Sequence, residues 1–197
     1  RIEAPQMAKH AHAGQFLMVR ANETGERVPF TFADWNPEEG WVEFIFMVVG
    51  KTTKMLSTYE AGDSLEDVTG PLGQPSEFGD GKWGVIGGGV GLAIAFPIAR
   101  KLVKEGKDVH AIMGARTKDL LLLEDQFRSI LPDDHIHITT DDGSYGEKGV
   151  VTAPEERLLE AGQIDHIFCV GPVPMMKFAT LTAVKHDCPI TASLNPI

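Results

Sequence analysis

The chain has 197 residues, of which 43% are hydrophobic, enough for one large or two small domains with true cores. Twenty-eight acidic and eighteen basic residues give a formal charge of −10, which argues against nucleic acid or an anionic membrane surface as a partner. No apolar run approaches the roughly 20 residues of a membrane span, and the two cysteines exclude a disulfide framework. With no signal segment visible, we expect a cytoplasmic protein.

The first 79 residues consist of short runs of β-branched and aromatic residues separated by turn residues. This spacing predicts a small antiparallel β-barrel of Greek-key type, interrupted by one helical piece. The expected strands cover residues 16–20, 30–33, 41–49 and 63–68, and the helical piece covers residues 53–59.

From residue 80 to residue 197 the pattern changes to strands that alternate with helices. Such alternation predicts a parallel five-stranded sheet with crossover helices, which makes the whole chain a β-barrel followed by an α/β domain. The expected strands are 84–86, 109–114, 135–139, 166–170 and 190–194, and the expected helices are 94–105, 120–130, 153–161 and 173–185.

In the first half, a glycine, a lysine and two threonines stand at the end of an expected strand, just before the helical piece. Their N–H groups, hydroxyls and lysine ammonium are groups that can cradle a diphosphate. The spacing is not that of a nucleoside triphosphate-binding loop, and the alternative is a simple N-capped helix. The candidate residues are Gly50, Lys51, Thr52 and Thr53.

The segment Trp83–Pro97 is predicted to be a buried strand, a glycine turn and the start of a helix. A dinucleotide diphosphate needs close approach of the backbone and unpaired N–H groups at a helix start, and glycine leaves room for both. The common G-x-G-x-x-G spelling fails because Leu92 stands where the third glycine is expected. A tight structural turn is the alternative to a nucleotide site made of Gly87, Gly88, Gly89, Val90 and Gly91.

Two histidines, His135 and His137, lie two residues apart on an expected strand and therefore on one face of it. No third ligand of suitable spacing accompanies them, so we interpret both as ordinary strand histidines. The sequence predicts no metal site within the chain.

Seven segments occur in the order found in one known group of flavoproteins, and on them the chain resembles the ferredoxin–NADP reductase superfamily. The resemblance is closest to the electron-transfer subunits related to dihydroorotate dehydrogenase and to the small subunit of NADH-dependent ferredoxin:NADP oxidoreductase. It implies that residues 1–79 bind FAD and that residues 80–197 bind a nicotinamide nucleotide. The segments are 27–34, 49–54, 70–73, 87–91, 140–146, 171–176 and 193–196.

The resemblance also implies roles for individual residues of the first half. Arg27 would contact the flavin diphosphate, although it stands one residue earlier than in most of the superfamily. Phe30 would pack on the isoalloxazine, and Thr31, the candidate catalytic residue, would hydrogen-bond near its reactive nitrogen. The matching segment 70–73 places Gly70 and Gly73 near the flavin. The alternative is a strand with a buried phenylalanine and a surface arginine.

In the second half, the resemblance implies that Gly171, Pro172 and Met175 meet the nicotinamide. Cys169 lies on the opposite face of its strand from Val170, so we expect it in the core.

The sequence indicates which nicotinamide nucleotide binds, without deciding the choice. Asp141 and Asp142 would repel the 2′-phosphate of NADP, whereas Arg116 and Lys118 could attract it. We therefore favour NAD(H) and leave NADP(H) open. The alternative is a simple polar turn at Asp141–Gly143.

The resemblance implies hydride transfer between NAD(P)H and FAD, followed by single-electron transfer to an iron–sulfur centre or ferredoxin. A 2Fe-2S cluster is expected on a segment beyond residue 197, since the chain looks like a fragment, and a larger redox subunit is the expected partner. One alternative is the electron-transfer subunit of a dihydroorotate dehydrogenase. Another is a flavin- or nucleotide-binding subunit with a structural or sensory role and no turnover.

Overall fold

The computed structural model describes residues 1–194. The chain divides into two compact units, Arg1–Glu77 and Phe78–Ile197, so the division falls two residues before the boundary expected from the sequence. The last part of the matched segment 193–196 lies outside the described residues.

The first unit contains two three-stranded antiparallel sheets and two short helices. Its elements are β1 (Ile2–Glu3), α1 (Pro5–His10), β2 (Phe16–Arg20), β3 (Arg27–Thr31), β4 (Asp34–Asn36), β5 (Trp41–Glu43), α2 (Lys51–Leu56) and β6 (Asp67–Leu72). One sheet has the order β1-β5-β4 and the other β3-β2-β6. The barrel-like, antiparallel character expected for this half is confirmed.

The core of the first unit follows the two-residue period of a strand. In β2, Leu17 and Val19 are fully buried while their neighbours are partly exposed. Phe32 and Val42 join them in one hydrophobic cluster, and α1 adds Ala8.

Several element boundaries in this unit differ from those expected. The strand expected over residues 41–49 ends at Glu43, because Phe44 and Phe46 turn to pack on the core while Met47–Val49 become exposed. Helix α1 was missed, since six residues show too little periodicity to reveal a helix.

The second unit is a six-stranded parallel sheet flanked by helices. Its elements are β7 (Lys82–Gly88), α3 (Leu92–Lys104), β8 (Asp108–Ala115), α4 (Glu124–Ile130), β9 (Ile136–Thr140), β10 (Glu147–Lys148), α5 (Thr152–Glu160), β11 (His166–Val170), α6 (Val173–Lys185) and β12 (Ile190–Ser193). The parallel α/β prediction is confirmed, with one strand more than expected. The additional strand, β10, has two exposed residues and therefore no hydrophobic pattern.

The strand order β10-β9-β8-β7-β11-β12 puts the first strand of this unit in the middle of the sheet. The chain builds the sheet outward from β7 on one side and then outward from β11 on the other. The carboxyl ends of β7 and β11 therefore form a topological switch point, the place where open α/β sheets bind ligands.

Among residues 1–194, no helix combines the length and apolar character needed to cross a membrane.

Candidate functional site

The glycine turn joins β7 to α3 through a single 3-10 turn, Gly89–Gly91, which contains Val90. Gly89 has a φ of +55°, in the left-handed region that favours glycine. Gly91 packs against the end of β11: a Cβ atom added to it would lie 2.5 Å from the carbonyl oxygen of Val170. The local structure expected from Trp83–Pro97 is therefore present, and glycine is sterically required in it.

The segment that follows β11 lies directly beside this turn. Val170 pairs with Gly87 in the sheet, so the next residues, Gly171 and Gly88, are also neighbours. A Cβ atom on Gly171 would lie 2.7 Å from Cε of Met175 and 3.1 Å from the backbone nitrogen of Gly88. Pro172 then caps α6, which carries Met175 in its first turn. The structure thus brings together the two segments expected to hold the nicotinamide nucleotide.

The residues expected to choose between NAD(H) and NADP(H) meet where β8 and β9 end. The backbone N–H of Asp142 donates to the carbonyl of Arg116 at 3.3 Å, and the N–H of Asp141 donates to that of Ala115 at 3.1 Å. Ser144 donates its N–H to Oδ1 of Asp142 at 2.9 Å and lowers the pKa of that carboxyl group. Asp142 therefore stays ionised at neutral pH.

In the first unit, Arg27 has a partner that the sequence did not indicate. Its guanidinium binds one carboxylate oxygen of Asp67 through Nε at 3.0 Å and Nη2 at 2.5 Å. Arg27 in β3 and Asp67 in β6 both pair with Arg20 of β2, so this ion pair bridges over the middle strand. A diphosphate at Arg27 would have to share the guanidinium with Asp67.

Phe30 belongs to a cluster of aromatic rings. It stacks on Phe44, with ring centroids 4.7 Å apart and 10° between the planes, and lies 5.5 Å from the centroid of Phe46. Thr31 follows at the end of β3 opposite Phe16 and is half-buried.

The two glycines of segment 70–73 lie at the end of the same sheet. Gly70 is within β6, where an added Cβ atom would lie 3.2 Å from Cβ of Leu17. Gly73 follows the strand, and its carbonyl accepts a hydrogen bond of 3.0 Å from Nε2 of Gln15. Both glycines are therefore tied to β2 and the residue before it.

The segment Gly50–Thr53 starts α2, and one of its expected ligands is already used. The hydroxyl oxygen of Thr53 accepts the N–H groups of Val49 and Gly50 at 3.0 and 2.9 Å. This arrangement fixes the helix start, whereas the N–H groups of Lys51 and Thr52 have no partner inside the helix. A cavity of about 80 Å³ opens beside these two residues and is also lined by Asn22 and Thr24.

A third histidine joins the pair that the sequence analysis described. His135 and His137 are joined by His110 of the neighbouring strand, whose Nδ1 lies 3.1 Å from Nε2 of His137 and whose ring stacks on that of His135. Strand register alone makes this contact, and no spacing in the sequence reveals it.

Cys169 is in the core, as expected, with no solvent exposure. Burial raises the pKa of its thiol to about 12.

Comparison with known proteins identifies the class first. Residues 85–180 match the family model described as an oxidoreductase NAD-binding domain, a range that contains every residue expected to hold the nicotinamide nucleotide. The second unit is therefore an NAD-binding domain of an oxidoreductase.

Relatives then identify the family. The chain is 46% identical over its whole length to a dihydroorotate dehydrogenase B (NAD(+)) electron transfer subunit homolog of Thermotoga maritima, covering 69% of that protein. It is 32% identical over 91% of its length to the corresponding subunit of Streptococcus mutans, covering 70% of that subunit. The chain belongs to the family of dihydroorotate dehydrogenase B electron transfer subunits and their homologues.

Solved structures agree with this assignment. A chain in the structure of an NADH-dependent reduced ferredoxin–NADP oxidoreductase superposes with a TM-score of 0.88 at 46% identity, over 100% of this chain and 70% of that one. The cytochrome P450 reductase GcoB of Amycolatopsis shares the fold, with a TM-score of 0.75 at 23% identity over 92% of this chain and 60% of that one. The expected resemblance to the ferredoxin–NADP reductase superfamily is confirmed.

Proposed function

We propose that the chain is the electron-transfer subunit of a larger flavoprotein oxidoreductase, in which it takes electrons from NADH. The observation that carries the proposal is the pair of glycine segments at the switch point, where Gly91 and Gly171 have no room for a side chain. Membership of a family of NAD-linked electron transfer subunits supports it.

The nicotinamide nucleotide would bind along the carboxyl edge of the second unit's sheet. The turn Gly87–Gly91 would take the diphosphate, because it stands at a helix start and its middle residues, Gly89 and Val90, are partly exposed. Met175, packed between Gly88 and Gly171, would contact the nicotinamide. Asp142, held ionised by Ser144, would accept a hydrogen bond from a ribose hydroxyl and would repel a 2′-phosphate. Both effects favour NAD(H) over NADP(H).

Several features of the first unit fit FAD. The unpaired N–H groups at Lys51 and Thr52 beside a cavity offer donors to the diphosphate, and Arg27 offers a guanidinium. Phe30 belongs to an aromatic cluster and is partly exposed, and Thr31, the next residue, carries a hydroxyl. Gly70 and Gly73 would lie near the flavin, as the resemblance implies, while Leu17 and Phe16 of β2 fill the space beside them.

When bound, FAD accepts a hydride and releases electrons singly, so the chain itself needs no acid or base for that step. Its residues hold and align the two cofactors, which is where protein contributions to such reactions lie.

The partners follow from the same reasoning. We propose a cytoplasmic complex with a larger redox subunit that carries flavin or iron–sulfur centres, and a 2Fe-2S cluster on a segment beyond residue 197. Ferredoxin is the proposed onward carrier, because a similar solved structure is named as an NADH-dependent reduced ferredoxin–NADP oxidoreductase.

The test is anaerobic stopped-flow mixing of the full-length flavoprotein with NADH or NADPH, following the bleaching of the flavin band. We expect rapid bleaching by NADH and much slower bleaching by NADPH. Reduction by neither nucleotide would favour the structural or sensory alternative and overturn the proposal.

A second candidate, the electron-transfer subunit of a dihydroorotate dehydrogenase, is favoured by the printed names of several relatives. The complex purified with its natural partner decides between them. If dihydroorotate reduces the flavin of this chain in that complex, the second candidate is correct. If reduced ferredoxin and NADPH do so, the first is correct.

A further inference from the structure

A cluster of three histidines and an aspartate lies at the amino end of β8 and β9, opposite the edge that carries the glycine turn. His110 and Asp108 belong to β8, His137 belongs to β9, and His135 directly precedes β9. Because Ile112 pairs with His137, His110 projects from the same face of the sheet as His137. The proposed electron-transfer function uses none of these four residues.

We propose that this histidine cluster binds a divalent transition-metal ion of the zinc type, with His110 and His137 as the first ligands and His135 and Asp108 completing the site. Imidazole nitrogen with one carboxylate oxygen is a donor set that such ions prefer.

Distances between the donor atoms support the proposal. Nδ1 of His110 lies 3.1 Å from Nε2 of His137. Two nitrogens bound tetrahedrally to zinc are about 3.3 Å apart, given metal–nitrogen bonds of about 2.0–2.1 Å. One ligand atom each from Asp108, His110 and His135 also lies within 4.8 Å of the other two. An ion can therefore replace the hydrogen bond between His110 and His137 while the two nitrogens keep nearly their present separation, after each ring tilts toward it.

His135 already makes the hydrogen bond through its second ring nitrogen that a metal-bound histidine usually makes. Its Nδ1 lies 2.9 Å from the carbonyl oxygen of Val109, so Nδ1–H donates there and Nε2 keeps its lone pair. A backbone carbonyl on the second ring nitrogen is the usual partner of a metal-bound histidine. Since the ring now stacks on His110 at 4.1 Å, it must rotate to direct Nε2 at the ion. Its side chain is 27% exposed, which leaves room for that rotation.

Charge and burial also suit a cation. Arg157 is the nearby positive charge, and Glu147 neutralises it through two contacts of 3.1 and 2.6 Å. His110 is only 3% exposed while the Asp108 side chain is 47% exposed, so the site is shielded from water at His110 and open to solvent at Asp108.

The test is calorimetric titration of the purified flavoprotein with ZnCl₂, after bound metal has been removed with a chelator. We expect saturable binding of one ion per chain that is lost or weakened about tenfold or more in His135→Gln and in His137→Gln. Both residues are partly exposed, so these variants should fold, and circular dichroism verifies this. Mg²⁺ should not compete, because it prefers oxygen ligands.

A matched control comes from His186, which lies with Glu156 and Glu160 in a second group of ligand-type residues. His186→Gln should leave zinc binding unchanged. Visible absorption bands of tetrahedral Co²⁺, present in the parent and absent in His137→Gln, would give a second readout that does not depend on stability. Absence of saturable zinc binding in the parent, or binding that survives both cluster substitutions, overturns the proposal. NADH reduction of the flavin tests the proposed function separately.

Discussion

At the scale of single residues, the second unit depends on positions that have no room for a side chain or no partner for a charge. Gly91 touches the carbonyl of Val170, and Asp142 is held ionised beside Arg116. Glu155 of α5 is completely buried, and neither of its carboxylate oxygens has a hydrogen-bond partner. Each of these residues leads to a different measurement.

Gly91→Ala should damage nucleotide binding more than it damages folding. The new Cβ would lie 2.5 Å from the oxygen of Val170, so the turn must move away from β11. Overpacking of this kind costs about 1–3 kcal/mol, and we expect the KM for NADH to rise about tenfold or more. Steady-state kinetics and thermal melting measure the two effects. Gly79→Ala is the control, because an added Cβ there meets no atom within 4 Å. Equal effects of the two substitutions would contradict the prediction.

Asp142→Ser should shift the coenzyme preference toward NADPH. Removing the ionised carboxylate removes its repulsion of the 2′-phosphate, worth about 1 kcal/mol at a solvated distance of a few ångströms. We expect the ratio of kcat/KM for NADPH to that for NADH to rise about fivefold. Asp134→Ser, at the opposite end of β9, should leave the ratio unchanged. An unchanged ratio in Asp142→Ser would mean that the ribose carrying the 2′-phosphate does not bind beside Asp142.

Glu155→Gln should remove a pH dependence of stability. Burial raises the pKa of Glu155 to about 8, well above its value in the unfolded chain. Between about pH 4.5 and pH 8 the folded chain keeps the proton that the unfolded chain releases, so the parent loses stability as pH rises through this window.

Each pKa unit corresponds to about 1.4 kcal/mol, so Glu155→Gln should gain a few kcal/mol relative to the parent between pH 5 and pH 8. Urea unfolding at both pH values measures this difference. The exposed Glu160 of the same helix provides the control. The free energy of unfolding of Glu160→Gln should change with pH as that of the parent does. A difference between Glu155→Gln and the parent that is the same at both pH values would mean that Glu155 is ionised in the folded state.

At the scale of elements, strand–turn–helix order was predictable and short elements were not. Strands β7, β8 and β11 were foreseen because they are fully buried apolar runs followed by turn residues. The parallel arrangement was foreseen, but the register that pairs Gly87 with Val170 was seen only in the structure. Strand β10 and helix α1 were missed because two and six residues carry no readable period.

Only the part of the candidate site that is formed by the backbone could be predicted from the sequence. The glycine turn was found because missing side chains are visible in a sequence. The contacts of Arg27 with Asp67 and of His110 with His137 were not found, because strand register creates them over separations of 40 and 27 residues.

The start of α2 yields an element-scale prediction. The Thr53 hydroxyl holds the N–H groups of Val49 and Gly50, so Thr53→Ala should cost about 1 kcal/mol of stability even without flavin. Thr52→Ala should leave the stability of the flavin-free chain unchanged and weaken flavin retention. Melting of the flavin-free protein and flavin content after dialysis separate the two. If Thr52→Ala instead lost stability without flavin, Thr52 and not Thr53 would be the residue that stabilises the start of α2.

At the scale of the whole molecule, each unit has a hydrophobic core of its own. Calorimetry of the flavin-free chain should therefore show two transitions. FAD should stabilise one unit and NADH the other. Each ligand should add about 2.7 kcal/mol to the free energy of unfolding at a free concentration of 100 times Kd. Glu155→Gln identifies the second unit's transition, because that variant alters its core. A single transition raised by both ligands would contradict this expectation.

The two cysteines have a practical consequence. Cys169 and Cys188 are the only cysteines of the 197 residues, both are buried, and burial raises their thiol pKa values to about 12 and about 11. Thiols that stay protonated and enclosed react poorly with maleimides. A cysteine introduced at the exposed Val150 would then be the one fast-reacting thiol among residues 1–197, so a fluorophore attached there could report conformational change of this unit.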